Sequence, residues 1–483
     1  MHRKRRWTFL NTTEWDLQIY FDGIAALKQL EGEEKHAALC ANPCSLTPGL
    51  STIPSGLRRL DYDPALLSYF EQTICSSCTL VDNAHYNPYR YLILPMALES
   101  EGLYHATLAQ AANTLRLSDP RYKLPALEHH HRALNYLREL LKLSYWADKE
   151  LDEMLGLVLM LCWFDVGYLA TFVFFVIILT LSSFQISDNS RPSWVTHLKG
   201  FQDLIQTRQQ RPGRSAHSQE LTGFFNRYFA FHLVLARTAF QMNSLPSYQD
   251  SIISDKYLDS PDTIDTYMGF SHSLLLLINE VADLAGTPSE ASSIAKASNV
   301  YPLKKRIETI QQMPPVEFIS PDTECAAIAE ANRLGTLLLL HEICSSKSRQ
   351  PDYYHLPSFN PDEKDQYVEQ ILQLILSKKA NMMRTAALPL WPLFLAGCCT
   401  RNEEDRVTVL QIFEEVESIR RYGNVAPALE VVQMVWRQKD LGVQDERKRF
   451  KNTHIRNGKD SLQNARFSWE YAMTMLGWKV SLT

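Results

Sequence analysis

The sequence lacks four short motifs that commonly mark a catalytic or nucleotide-binding site. Its 483 residues contain no GxGxxG, GxxxxGK[ST], GxSxG or HExxH pattern. They also lack a series of β-hairpins and any regular alternation of strands with helices, which argues against a nucleotide-binding sheet. We therefore expect a protein that is not an enzyme.

An excess of basic residues is missing as well. The chain has 49 Lys and Arg against 54 Asp and Glu, a formal net charge of −5. Because nucleic-acid-binding domains are usually basic, the bulk of this protein is not a DNA-binding surface. The composition, 45% hydrophobic and 21% charged, is that of a globular protein with a substantial core.

Cysteine is too sparse for a disulfide framework, and no secretory signal opens the chain. The first residues, MHRKRRWTF, carry charge but no apolar region behind it. We expect a reducing, intracellular compartment. No six of the nine cysteines fall in one short segment; they are Cys40, Cys44, Cys75, Cys78, Cys162, Cys325, Cys344, Cys398 and Cys399.

Two cysteine pairs have alternative interpretations. Cys75 and Cys78 have CxxC spacing, but no second pair follows, and a structural zinc site needs four ligands. We interpret them as one turn of a helix that begins at Asp63, with half a zinc site as the alternative. Cys398 and Cys399 are expected to pack in the core.

What the chain has throughout is helical periodicity, which predicts an all-α fold: a large array of helices without a sheet. Leu127, Leu134, Leu137 and Leu141 share one face of a helix over residues 124–143. The adjacent His129, His130 and His131 lie in that helix. Adjacent side chains on a helix point in different directions, so the three histidines cannot bind one metal ion. We expect His131 to be half-buried and the other two to be solvated.

Residues 1–60 read as a basic start followed by a flexible, disordered linker. The basic run Arg3, Lys4, Arg5 and Arg6 is a candidate for nuclear import or phosphate contact, with a solvated linker remnant as the alternative. From residue 30 to residue 60, prolines and glycines are interspersed with small polar residues, which is typical of a linker. We expect one globular domain over residues 61–483.

Residues 418–436, SIRRYGNVAPALEVVQMVW, predict two helices joined at a tight corner. Apolar residues recur at helical spacing on both sides of it, and Trp436 lies on the apolar face of the second helix. We expect Asn424 to cap that helix. Arg420 and Arg421 suit the negative end of the first helix. All three of Arg420, Arg421 and Trp436 are expected to be structural.

This corner and several other segments occur in a characteristic order. The others are NPYRYLILPMA at 87–97, the small-residue helix at 105–112, LVLMLCWFD at 157–165, WVTHLKG at 194–200, LPLWPLFLAGCC at 388–399 and LGWKV at 476–480. Together they resemble the fungal-specific transcription factor domain, the regulatory module carried behind a Zn2Cys6 DNA-binding cluster. The likeness covers most of the chain from about Asp61 onward.

The resemblance implies a nuclear regulator that supports transcription by RNA polymerase II. Its expected partners are the transcription machinery or co-regulators, with a small-molecule effector and a dimer as further candidates. A Zn2Cys6 cluster needs six closely spaced thiolates, and this sequence has no such group. We therefore expect no cofactor in this chain, zinc only in a missing cluster, and DNA contact only through that cluster. The alternative is a cluster-less nuclear interaction protein that tunes a full-length relative.

An uncharged apolar run, residues 166–185, interrupts the family pattern. Deleting it restores continuity between LVLMLCWFD and WVTHLKG. Its codons can include splice donor, branch-point and acceptor sequences, and a run of 20 codons keeps the reading frame. We interpret it as a retained intron, with a buried insertion as the second interpretation. A membrane anchor ranks last, because the run is marginal in length and acidic residues flank it.

Overall fold

A computed structural model describes residues 63–84, 86–180, 193–210, 216–241, 260–285, 299–316, 318, 324–347, 359–382, 388–420, 423–441 and 465–483. For some helical residues, 166–180 and 419–420 among them, only the backbone is described. Fifteen helices and no β-strand occur in these ranges, which confirms the all-α fold. The only pairing of extended segments there is two isolated bridges, Thr263 with Met313 and Ile264 with Ser271.

The first of two compact units contains the described residues of 63–76, 88–168 and 193–210. Its helices are α1 (Asp63–Tyr69), α2 (Leu94–Glu99), α3 (Glu101–Leu115), α4 (Lys123–Lys142), α5 (Asp148–Thr180) and α6 (Ser193–Gln209). Helix α5 belongs to this unit as far as Tyr168. A π-helical turn, Phe70–Cys75, extends α1, and a second one, Tyr89–Ile93, leads into α2. A short 3-10 turn, Pro120–Tyr122, precedes α4.

Helix α3 is the centre of the first unit. Every residue from Gly102 to Asn113 is buried, and α1, α2 and α4 pack around it. Its many alanines let those neighbours approach closely, as the small-residue pattern at 105–112 predicts. Ser100 caps the start of the helix, because its side chain accepts a hydrogen bond from the Leu103 backbone N–H over 3.1 Å.

The second unit contains the described residues of 77–87, 169–180 and 216–483. Its helices are α7 (Ala216–Ala239), α8 (His272–Ala285), α9 (Val300–Thr309), α10 (Glu324–Lys347), α11 (Pro361–Met382), α12 (Leu390–Cys399), α13 (Glu403–Arg420), α14 (Val425–Asp440) and α15 (Ser468–Leu476).

Helix α12 is the centre of the second unit. All ten of its residues are buried, and α10, α11, α13 and α14 pack against it. A helix that is apolar on every side must be surrounded by others, and this explains the sequence LPLWPLFLAGCC. Cys398 and Cys399 lie in this core, as predicted. Cys75 and Cys78 are also buried, as are Leu67, Phe70 and Ile74 of the predicted apolar stripe. Cys78 lies in a bend after the helical residues, so the two cysteines do not share the predicted turn of helix.

The predicted N-terminal linker and the apolar run 166–185 lie wholly or partly outside the described residues. Residues 1–62 lie outside the described ranges, so the linker and the domain boundary at residue 61 stay predictions. The backbone of residues 166–180 continues α5 as a helix, and residues 181–185 lie outside the description. Within the described part of the chain, no helix combines the length and the apolar character needed to cross a bilayer.

Candidate functional site

A group of buried titratable side chains surrounds two adjacent histidines of α4. His129 is fully buried and His130 is 3% exposed. The expectation that both would be solvated is therefore wrong, whereas His131 is half-buried as expected. Neighbours on a helix point about 100° apart, so His129 and His130 reach different partners. We call their two sets of partners the His129 branch and the His130 branch.

The His129 branch joins α4 to α1 and α3. His129 Nε2 lies 3.2 Å from Asp63 Oδ1, and its Nδ1 lies 2.9 Å from Nδ1 of His105. One of these two Nδ1 atoms carries the hydrogen and the other accepts it. Asp63 is fully buried at the first position of α1, and His105 is 2% exposed in α3. The branch thus places a buried carboxylate beside a buried imidazole, which lowers the cost of burying either group alone.

The His130 branch joins α4 to α5 and α6. His130 Nε2 lies 3.6 Å from Asp165 Oδ1, while Asp165 Oδ2 lies 3.1 Å from His197 Nε2. The His130 ring also stacks on Phe164, with ring centroids 4.1 Å apart. Asp165 therefore lies between two imidazoles, each from a different helix.

The two branches have distinct electrostatics. Burial acts to raise the pKa of Asp165, but hydrogen bonds from His130 and His197 outweigh it and hold that pKa below its ordinary value of 3.8. Burial, followed by the neighbouring His129 and Arg132, lowers the pKa of His105 to about 4. At neutral pH the site therefore contains an ionised Asp165 and a neutral His105.

The contacts of the two branches are better suited to holding helices together than to catalysis or metal binding. Each carboxylate is oriented toward a histidine of another helix. Within the described ranges, no group of three or more His, Cys, Asp or Glu side chains could hold a metal ion. Sequence reasoning missed the partners Asp63, His105, Asp165 and His197, because they are far apart along the chain and carry no common spacing.

A second candidate is the corner between α13 and α14. Trp436 is 7% exposed, and its Nε1–H donates to the carbonyl oxygen of Gly397 over 2.8 Å. The Arg406 guanidinium lies 5.4 Å from the centre of the Trp436 ring and also pairs with Asp440 at 2.8 Å. Trp436 is thus a core residue with a satisfied polar atom, as the apolar periodicity predicts.

Asn424 does not act as the sequence suggests. It occupies the position before α14, but its side chain makes no capping hydrogen bond. Instead, its Nδ2 donates to the main-chain oxygens of Ser481 and Thr483, at 3.2 and 2.8 Å. The capping prediction is therefore wrong, because a distant segment competes for the amide.

The described cysteines do not fit a Zn2Cys6 cluster. Seven of them are described; they are free and buried at positions 75, 78, 162, 325, 344, 398 and 399. Several lie on different helices, whereas the cluster needs six thiolates around two zinc ions. Burial raises the pKa of Cys325 to about 12, which disfavours the thiolate form that binds metals.

The remaining predicted site residues cannot be placed. Arg3, Lys4, Arg5 and Arg6 lie outside the described residues, as does Arg421. Arg420 is described only by its backbone, as the last residue of α13. Their predicted roles stay predictions.

Comparison with known proteins gives one positive result. The profile of the fungal specific transcription factor domain matches residues 65–483, which include all described residues of the second unit and nearly all of the first. No curated protein and no solved structure matches the chain.

Proposed function

Because the chain belongs to the fungal specific transcription factor domain family, we propose that it is the regulatory domain of a Zn2Cys6-type transcription factor that acts with RNA polymerase II. The observation that carries this proposal is the match over residues 65–483, which spans both helical units.

Several narrower proposals follow from family membership. The chain acts in the nucleus, and it contacts the transcription machinery or co-regulators. A small-molecule effector and a dimer belong to the same proposal. The chain itself performs no catalysis and needs no cofactor, since zinc belongs to a cluster that would accompany it. DNA is contacted only through that cluster.

A reporter assay tests the regulatory function. The full chain is fused to an unrelated DNA-binding domain and expressed in fungal cells with a reporter gene behind the matching site. We expect the fusion to change reporter transcription relative to the DNA-binding domain alone. A fusion that is stable and nuclear, yet leaves the reporter unchanged under varied growth conditions, would contradict the proposal.

The alternative function is that of a cluster-less interaction protein that tunes a full-length relative. Sequencing complete transcripts from their 5′ ends distinguishes the two functions. Six in-frame cysteine codons with Zn2Cys6 spacing ahead of Met1 would support the first. Their absence, combined with co-purification of a cluster-bearing relative, would support the second.

The basic run supplies a test of localisation. We propose that Arg3, Lys4, Arg5 and Arg6 direct nuclear import or contact phosphates. Replacing all four by Ala in a fluorescent fusion of the full chain should shift the fusion toward the cytoplasm. The matched control replaces Lys142, Lys149, Arg401 and Arg437, which lie on helices or between them. Unchanged nuclear fluorescence in the first variant would reject the import role.

A further inference from the structure

The last residues of the second unit, Trp478–Thr483, form an irregular segment that we call the strap. Helix α15 ends at Gly477, whose φ of 68° lies in the left-handed region that favours glycine. The Trp478 backbone N–H then donates to the carbonyl oxygen of Met473 over 2.8 Å. This geometry ends the helix and turns the following residues away from its axis.

The strap is buried although it has no regular structure. Val480, Ser481 and Leu482 are 5%, 6% and 4% exposed. Val480 and Leu482 contribute apolar side chains at alternate positions, with the hydroxyls of Ser481 and Thr483 between and after them. Buried backbone outside a helix or sheet needs other hydrogen-bond partners, so the strap depends on side chains around it.

Two side chains of the second unit bind the strap, Asn424 at its main chain and His232 at a hydroxyl group. The Asn424 side chain does not cap the N-terminus of α14. Its amide instead donates to the main-chain oxygens of Ser481 and Thr483. His232 of α7 lies 2.8 Å, through Nδ1, from the Thr483 hydroxyl. Its Nε2 lies 2.9 Å from the Tyr267 hydroxyl. We call Asn424, His232 and Tyr267 the strap site.

The state of His232 suits this role. Burial lowers the pKa of His232 to about 3, so the ring is neutral at physiological pH. A neutral imidazole has one donor and one acceptor nitrogen, and can bridge two hydroxyl groups in either tautomer. The Lys479 ammonium adds a contact outside the strap site, 5.3 Å from the centre of the Phe240 ring.

These features are those of a bound peptide. Side-chain hydrogen bonds hold the main chain, and apolar contacts at alternate positions give specificity. We propose that the strap site is a peptide-binding site, occupied in cis by the strap and in trans by an extended segment of a partner protein. The partner segment would share the alternation of apolar and hydroxyl side chains seen in Val-Ser-Leu-Thr.

The strap site adds a partner-binding surface to the proposed function. The inference does not depend on that function, because the strap site is defined by contacts within the second unit. A segment tethered to its own site competes at an effective concentration on the order of millimolar. A partner peptide therefore meets a closed site in the resting protein. Displacing the strap opens it.

Peptide binding to the full chain tests the proposal. A fluorescent peptide with the sequence of residues 478–483 is titrated by fluorescence anisotropy against the wild-type chain and a Val480→Glu, Leu482→Glu double variant. The double variant loses the apolar contacts of the strap but keeps the strap site. We expect it to bind the peptide at least about ten-fold more tightly than the wild type, because the cis competitor is weakened.

Three controls belong to this titration. Adding Asn424→Ala to the double variant should weaken peptide binding by about five-fold to ten-fold, through loss of two hydrogen bonds. Met475→Glu adds one carboxylate, against two in the double variant, at an exposed position of α15 and should bind like the wild type. A peptide with Glu in place of both Val and Leu should not bind. A double variant that remains folded yet binds no more tightly than the wild type would overturn the proposal.

Hydrogen exchange of the wild-type chain provides a test that does not depend on the folding of a variant. If the strap leaves its site by local opening, its amides exchange faster than the amides in the middle of α14. Equal protection in both segments would mean that the strap opens only when the unit unfolds. That result would also overturn the proposal.

Discussion

The carboxylate of Asp165 lies 3.1 Å from Nε2 of His197, although the apolar run 166–185 stands between them in the sequence. The two segments that flank the run therefore meet in space. Residues 186–192 alone are seven residues long, and an extended chain spans about 3.3–3.6 Å per residue. We expect a segment of this length to be able to connect residue 165 to α6 without the run.

The first prediction is that deleting residues 166–185 leaves a folded protein. The expected result is a helical circular dichroism spectrum and a cooperative thermal transition, because the contact between Asp165 and His197 needs neither end of the run.

Even coverage of these codons by mature transcripts would contradict the retained-intron proposal. Aggregation of the deletion variant would instead favour a buried insertion, and recovery of the full chain in membranes would favour an anchor.

The second prediction concerns the charge of Asp165. Asp165→Asn should lower the free energy of unfolding by about 1.5–3 kcal/mol, the usual range for a hydrogen bond to a charged group. The folded-state pKa of Asp165 is depressed, so its contribution is present above the unfolded value near 3.8 and is lost as the pH falls below it. Urea unfolding near neutral pH and again below about pH 3 measures this difference. A difference that does not shrink in acid would show that the carboxylate is not ionised in the fold.

The third prediction concerns a different range of pH. The pKa of His105 falls from 6.5 to about 4 in the folded protein, so the unfolded state binds a proton first as the pH decreases. The folded state should therefore lose stability between about pH 6.5 and pH 4, with no further loss from this group below that range. His105→Gln should reduce the slope of unfolding free energy against pH in this window. An unchanged slope would mean that His105 is not buried as a neutral base.

The fourth prediction separates a structural from a regulatory role for Trp436. Trp436→Ala should cost about 3–5 kcal/mol, because it empties a core position and leaves the Gly397 carbonyl without its donor. Arg437→Ala, at the exposed neighbouring position, is the matched control and should cost less than about 0.5 kcal/mol. Chemical denaturation of both variants gives the comparison. Should Trp436→Ala keep its stability and lose the reporter response, Trp436 is a partner contact.

The fifth prediction is that the chain alone does not select a DNA sequence. Its net charge of −5 gives little attraction to phosphate, and its described cysteines do not form a zinc cluster. A gel-shift experiment with the purified chain and a pool of random duplexes should show no enriched site. Tight binding to one sequence, resistant to moderate salt, would require a DNA-binding surface that neither charge nor motif predicts.

Local patterns sufficed for the helices and for their buried faces. The spacing of Val425, Val432 and Trp436 predicted the second helix of the corner, and these side chains are buried. The uninterrupted apolar sequence of α12 likewise predicted a core segment. Such inferences succeed because a helix repeats every 3.6 residues, so one face can be identified from the sequence of that helix alone.

Tertiary structure alone decided which polar residues are buried and what they bind. His129 and His130 appear in sequence as two polar residues of an amphipathic helix, but Asp63 and Asp165 are brought beside them by α1 and α5. Asn424 is of a residue type that often caps helices, but the strap supplies competing acceptors for its side chain. The periodicity of one helix contains no information about which distant groups will pack against it, and the burial of a polar side chain depends on those groups.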